Sequence, residues 1–216
     1  MELISHLIVE YPMIKTKEDY EYYKKADEIA IGKDAEVGIK RRTLYFVDNI
    51  WKFERLLRKT EYFQNCRTSR IDKIYSNYLM YELYKYRTKL GFTILPNCFG
   101  PGLSIAHIGT IVVNPASRIG ANCRIHTCVV IGTKAGYPDK APKIGNNVYI
   151  GPGAKIFGEI TISDGIAIGA NSVVNKSFLE PNITIAGVPA RKISDKGSRG
   201  LLVNATQILK ERSPKI

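Results

Sequence analysis

Apolar positions along the chain follow two different periods, and the change falls at Gly91. Before it, they recur at helical spacing. Ile50, Phe53 and Leu57 share one face, and Leu79, Leu83, Tyr86 and Leu90 follow at i, i+4, i+7 and i+11. Thr16-Lys-Glu-Asp19 and Ser69-Arg-Ile-Asp72 read as helix starts, because a hydroxyl oxygen there accepts from backbone N–H groups without an intrahelical partner. Gly91 suits the left-handed residue that closes a helix. Three or four helices are predicted within residues 1–90, with irregular links near 31–38.

After Gly91 the period is six. Val113, Ile119, Ile125 and Ile131 are followed by Ile144, Ile150, Ile156, Ile162, Ile168 and Val174, each six after the last except for one step of thirteen. A glycine follows five of these ten anchors, and a small residue, such as Ser117, Cys123, Ala154 or Ser172, stands four after many of them. Neither a helix nor an ordinary strand has this period; a hexapeptide repeat does, and it marks a parallel β-helix. Each unit is a short strand plus a corner, so three units close one triangular coil. Stacked coils lie about 4.8 Å apart. The anchors point inward as Ile/Val columns, and burial comes from stacking. The helical half would cover one open end, and Leu201–Leu209 would cover the other or pack on a neighbour. The long step between Ile131 and Ile144 should protrude as a loop, either functional or simply a tolerated insertion.

Composition narrows the class. Of 216 residues 44% are hydrophobic and 24% charged, which excludes a mostly disordered chain. No run reaches the ~18 apolar residues of a membrane span, and the N-terminus lacks a basic secretory leader, so a cytosolic protein is expected. Cys66, Cys98, Cys123 and Cys128 lack paired spacing, so neither disulfides nor a metal site is expected. The net charge of +12 divides as +4 over residues 1–90 and +8 beyond. That attracts nucleotides, anionic membranes or nucleic acid, but no nucleic-acid-binding motif is present. Peripheral membrane contact through the Tyr-rich helices is a further possibility, weakened by their mixed charge.

Coil arithmetic brings two imidazoles together. Eighteen residues after His107 is Ile125, so His126 falls one coil above and one residue along. The loop opening at Gly132 could project beside the same edge. An imidazole with a pKa near ~6.5 can take a proton from a hydroxyl at neutral pH. Strict phase back from Val113 would turn His107 inward, whereas the irregular stretch from Pro101-Gly102 to Gly109 would turn it outward; the sequence leaves both open. His126 could equally be an edge residue at a subunit contact.

The segments AHIGTIVVN (106–114), IGTKAGYPDKAPKIG (131–145), VYIGPGAKIFGEI (148–160), IGANSVV (168–174) and IAGVPARKI (185–193) resemble the hexapeptide acyltransferases, most closely the serine acetyltransferase branch. The resemblance implies an α+β chain: a helical N-terminal domain (1–90), a left-handed parallel β-helix (91–193) and a C-terminal helical tail (194–216). It further implies a homotrimer, with the helical half offering a route to a dimer of trimers, and active sites between adjacent prisms. Acetyl-CoA is the implied acyl donor. By the same resemblance His107 is the catalytic base, with His126 beside it. Gly132 and Thr133 lie near the thioester, and Ala154 and Ala170 offer backbone to the pantetheine arm, with Tyr149 alongside. Lys176, Arg191 and Lys192 meet the CoA phosphates.

Three departures bear on the acceptor. Ala106 stands where serine acetyltransferases carry an Asp, Ala141 where they carry a second active-site histidine, and Thr93 near the Asp that pairs with the base. A zwitterion needs charged partners, so the sequence favours a hydroxyl of a surface-polysaccharide sugar. Serine is the alternative small-molecule acceptor, and a non-catalytic β-helix scaffold is a third reading. No G-x-S-x-G motif is present, so direct attack in a ternary complex is expected.

Overall fold

A computed structural model describes residues 13–33 and 47–212. The predicted link near 31–38 therefore lies mostly outside the described residues, as does the start of the chain. Helix α1 (Lys17–Ala30) opens with a capping box: the Thr16 hydroxyl accepts from Asp19 N–H at 3.0 Å, and the Asp19 carboxylate accepts from Thr16 N–H at 3.0 Å. Helix α2 (Asn49–Cys66) is capped by Asp48, and α3 (Arg70–Leu90) by Ser69. Gly91 ends α3 with φ +79°, the left-handed conformation that costs glycine little.

The remainder is a left-handed β-helix with three parallel faces. Strands are numbered in chain order. The first face holds β1 (Phe92–Thr93), β3 (Ile111–Val113), β6 (Val129–Gly132), β9 (Lys155–Phe157) and β12 (Val173–Val174). The second holds β4 (Arg118–Ile119), β7 (Lys143–Ile144) and β10 (Thr161–Ile162). The third holds β2 (Ser104–Ile105), β5 (Arg124–Ile125), β8 (Tyr149–Ile150), β11 (Ala167–Ile168) and β13 (Thr184–Gly187), closed by antiparallel β14 (Ala190–Ser194). Inside run the columns Ile105–Ile125–Ile150–Ile168–Ile185 and Val113–Ile131–Ile156–Val174, all buried. Each such side chain contributes about 1.5–3 kcal/mol when taken from water.

The coil is not uniformly eighteen residues. Ile111 pairs with Val129 and Ile150 with Ile168, eighteen apart, but Ile105 pairs with Ile125, twenty apart. Two extra residues in the first coil make Ile105 the inward anchor, and His107 is exposed. His126 therefore stands above Ala106 rather than directly above His107.

The helices cap the N-terminal end. Phe53, Leu57, Leu83 and Leu90 join the prism core, and Phe53 meets Phe92 edge-on at 5.2 Å. A buried polar network crosses the same junction. Arg58 donates to Asp27 at 2.7 Å, Glu61 at 3.0 Å and the carbonyls of Phe99 and Gly100 at 2.8 and 2.7 Å. Asp27 accepts from the N–H groups of Gly102 and Leu103, both at 2.8 Å.

The tail departs from expectation. Instead of covering the far end, which the β13–β14 hairpin occupies, it runs back along the corner between the second and third faces. Asn122 donates to Asn204 and Thr206 at 3.0 and 2.8 Å and accepts from Thr206 N–H at 3.1 Å. Helix α4 (Ala205–Arg212) then packs Ala205 and Leu209 on Ala26, Ile29 and Ala30 of α1.

Candidate active site

Each corner of the prism now has a distinct content. The corner between the second and third faces is covered by the tail. The corner between the first and second carries the insertion. The corner between the third and first carries both histidines.

At this last corner the His107 and His126 ring centroids lie 6.0 Å apart, and Tyr149 packs on His126 at 5.1 Å. Strand pairing explains this. Arg124 and Tyr149 are in register on the outer surface of the third face, and His126 follows the inward Ile125. Thr127 and Cys128 then turn the corner, with Cys128 at φ +61° where the coils above place Gly153 and Asn171. His126 Nε2 is buried without a hydrogen-bond partner. Burial foremost, then the charges of Arg124 and His107, push the His126 pKa below its ordinary value and favour a neutral ring. Arg124 was not singled out in the sequence; its place just before an anchor is the signal that it faces outward.

Above the histidines the corner is lined by small residues. Register continues Ala106–His126 upward through Gly151, Gly169 and Ala186, and Ala186 pairs with Arg191 on the hairpin. A run of small residues thus leads from the imidazoles to a guanidinium. Three coil spacings separate His126 from Ala186, about 14 Å. Ala170, next to Gly169 of this run, is exposed.

The other sequence candidates divide. Gly132 and Thr133 lie at the far edge of β6, one face width from the histidines, so they do not converge with them within one chain. Four strand residues separate the two corners, about 13 Å. Lys176 is on that same distant corner, its ammonium 5.3 Å from the Phe178 ring. Ala154 has its side chain buried inside the prism, and its backbone is engaged within the coils: its carbonyl accepts from Val130 N–H at 3.0 Å and its N–H donates to the Gly151 carbonyl at 3.4 Å. Lys192 is held by Glu180 and Asp195, both at 2.6 Å. The insertion folds on itself: Lys134 N–H donates to the Lys140 carbonyl at 2.8 Å, and both ammonium groups approach the Tyr137 ring, at 5.1 and 5.3 Å. Ala141 is buried at its base.

Among the described residues no cluster fit for a metal ion occurs, and no described helix is long and apolar enough to cross a membrane.

No protein-family profile matches the chain. It is 33% identical over 144 residues to a serine acetyltransferase of Staphylococcus xylosus, covering 60% of this chain and 66% of that one. It is 41% identical over 100 residues to the Salmonella typhimurium serine acetyltransferase, covering 46% and 36%. The chain thus spans less than two thirds of the length of these curated relatives. Among solved structures, the serine acetyltransferase of Brucella abortus superposes with a TM-score of 0.66 at 27% identity, over 84% of this chain and 72% of that one. A second structure of that enzyme, in complex with coenzyme A, gives 0.65 at 26% identity, over 84% and 70%. Six-residue register, helical cap and these likenesses together show that the chain resembles the hexapeptide-repeat acyltransferases, on their serine acetyltransferase-like branch.

Proposed function

We propose that the protein is an acetyl-CoA-dependent O-acetyltransferase with His107 as general base. The observation that carries this reading is the exposed His107 ring beside His126, at the foot of a run of small residues that ends at Arg191. His107 takes the proton from the acceptor hydroxyl as the oxygen attacks the thioester carbonyl. The carbon–sulfur bond breaks, and the imidazolium returns that proton to the departing thiolate. His126 stands beside that base with its ring favoured in the neutral form, so it adds no second positive charge at the corner. The small side chains along this corner let the pantetheine arm approach the backbone, and Arg191 meets the CoA phosphates.

A donor from Gly132 or Thr133 would stabilise the developing oxyanion. Since these residues occupy the opposite edge of the same face, they can serve a histidine only across a subunit boundary. This supports a homotrimer in which the insertion corner of one copy meets the histidine corner of the next.

The relatives' names favour L-serine as acceptor over a polysaccharide sugar. A neutral sugar hydroxyl stays as the second reading on one observation: Ala106, beneath His126, and buried Ala141 offer no charge to a zwitterion. Thiol release from acetyl-CoA, with L-serine and with neutral sugars, discriminates the two. His107→Ala should lower turnover by at least about a hundredfold and leave CoA affinity within twofold. Near-normal turnover removes His107 from the mechanism, and failure of the wild-type protein to bind CoA supports a non-catalytic scaffold.

A further inference from the structure

The coils that carry the two histidines also carry a guanidinium without a described counter-ion. From Gly91 to Pro138 the sequence contains no Asp or Glu. Asp27, Glu54 and Glu61 of the cap meet these coils from below, but they are buried and engaged, Asp27 and Glu61 by Arg58 and Glu54 by Ile105 N–H. Arg124 stands on the outer side of β5 and is half-buried; among the described residues no carboxylate or carbonyl accepts from its guanidinium. Arg118, one face earlier, differs: it donates to the Pro115 and Ser117 carbonyls at 2.8 and 2.9 Å.

Register sets its place relative to the base. Side chains alternate across a strand, so Arg124 and His126 point to the same side, about 7 Å apart. Ala106 lies beneath His126, and His107 is one residue further toward the corner. Arg124 and His107 therefore bracket His126, about 10 Å apart along the strand direction. Tyr149 is in register above Arg124 and packs on His126 at 5.1 Å, which closes the upper side of the patch. After burial, the charge of Arg124 does most to lower the His126 pKa, so its field reaches the imidazoles. A fixed positive charge there opposes the imidazolium that His107 becomes on taking a proton. An anion brought by the acceptor removes that opposition.

We infer that Arg124 holds a carboxylate borne by the acceptor, with the reacting hydroxyl at His107. A guanidinium fork meets a carboxylate through two parallel N–H···O bonds. The same coils offer no acid to an ammonium, so a sugar acid matches the patch fully, and L-serine matches it through its carboxylate alone. The inference rests on the acetyl-transfer reading and names what the acceptor carries.

Two pairs of compounds that differ at the carboxylate test it on the full chain: D-glucuronate against D-glucose, and L-serine against serinol. Thiol release from acetyl-CoA should give a kcat/KM at least tenfold higher for glucuronate than for glucose. Arg124→Gln should raise the KM for glucuronate at least tenfold, with kcat within threefold and the KM for glucose within twofold. Arg124→Lys keeps the charge without the fork and should fall between. A preference confined to serine over serinol, and lost in Arg124→Gln, assigns the carboxylate to an amino acid and sustains the role of Arg124. Equal use within both pairs overturns the inference, as does a carboxylate preference that survives Arg124→Gln. A changed oligomeric state of Arg124→Gln in sedimentation also overturns it, by assigning the guanidinium to a subunit contact. Absence of thiol release with all four compounds counts against the acetyl-transfer reading, and calorimetry then decides on Arg124. Glucuronate heat present in the wild type and lost in Arg124→Gln sustains the carboxylate site; no heat with the wild type overturns it.

Discussion

Arg58→Met tests whether the cap–prism junction is held by charge. In the wild type the guanidinium is fully buried and joins Asp27, Glu61 and two carbonyls of the first coil. Methionine fills a comparable volume but leaves two buried carboxylates without their cation. Removing one partner of a buried ion pair costs about 3–5 kcal/mol. The upper half applies here, since the carbonyls of Phe99 and Gly100 lose their donor as well. With a urea slope of about 2 kcal/mol per molar, the midpoint should fall by about 2–2.5 M. Burial already raises the Glu61 pKa against the opposing pull of Arg58, and loss of Arg58 raises it further. A carboxyl whose pKa is raised on folding stabilises the fold below its unfolded pKa and ceases to as pH climbs through the folded value. The deficit of Arg58→Met should therefore be larger at pH 8 than at pH 5. Adding Asp27→Asn and Glu61→Gln should recover part of it, because the stranded charges cause most of the loss. A midpoint shift below about 0.5 M at pH 8, or no recovery in the triple variant, would refute the reasoning.

Glu54 is fully buried, accepts from Ile105 N–H at 3.2 Å, and has a pKa raised well above the ordinary value, chiefly by burial and then by Asp27. Glu54→Gln should match the wild type near pH 5 and surpass it at pH 9, measured as urea midpoints across pH, because only the wild type must ionise a buried carboxyl as pH rises. Asn122→Ala removes both the donors and the acceptor that clamp the tail; limited proteolysis should then cut near residues 195–204 at least several-fold faster, with the prism intact. Gly145→Ala would place a methyl 2.2 Å from Asp164 Oδ1 and 2.8 Å from its backbone nitrogen, forcing two coils apart; thermal unfolding should show a loss of about 1–3 kcal/mol.

The six-residue period made the prism legible because only stacked coils bury an Ile or Val at every sixth position. The same period held information left unused: six residues are one face, so His126 and Gly132, six apart, belong to different corners. The phase of His107 was not legible, since a twenty-residue first coil cannot be told from an eighteen-residue one until Ile105 is paired with Ile125. The polar junction was hidden for another reason. Asp27, Arg58 and Phe99 stand 31 and 41 residues apart along the chain, and no local pattern marks such a triad. The course of the tail along the prism was hidden because Asn122 and Thr206, 84 residues apart, look like ordinary surface residues until they meet.

That junction bears directly on the proposed chemistry. The N–H groups of Gly102, Leu103 and Ile105 are all fixed by carboxylates of the cap, Asp27 for the first two and Glu54 for the third. All three lie within the five residues before His107, in the first coil, where Ile105 pairs with Ile125 twenty residues on. A repeat protein holds its interior coils by neighbours above and below, but its first coil has only one such neighbour. The cap supplies the missing half, and does so with directional hydrogen bonds rather than apolar contact alone. The outward turn of His107 is therefore a property of the helices as much as of the repeat, and the same prism without its cap would present this corner with the imidazole's support removed from below.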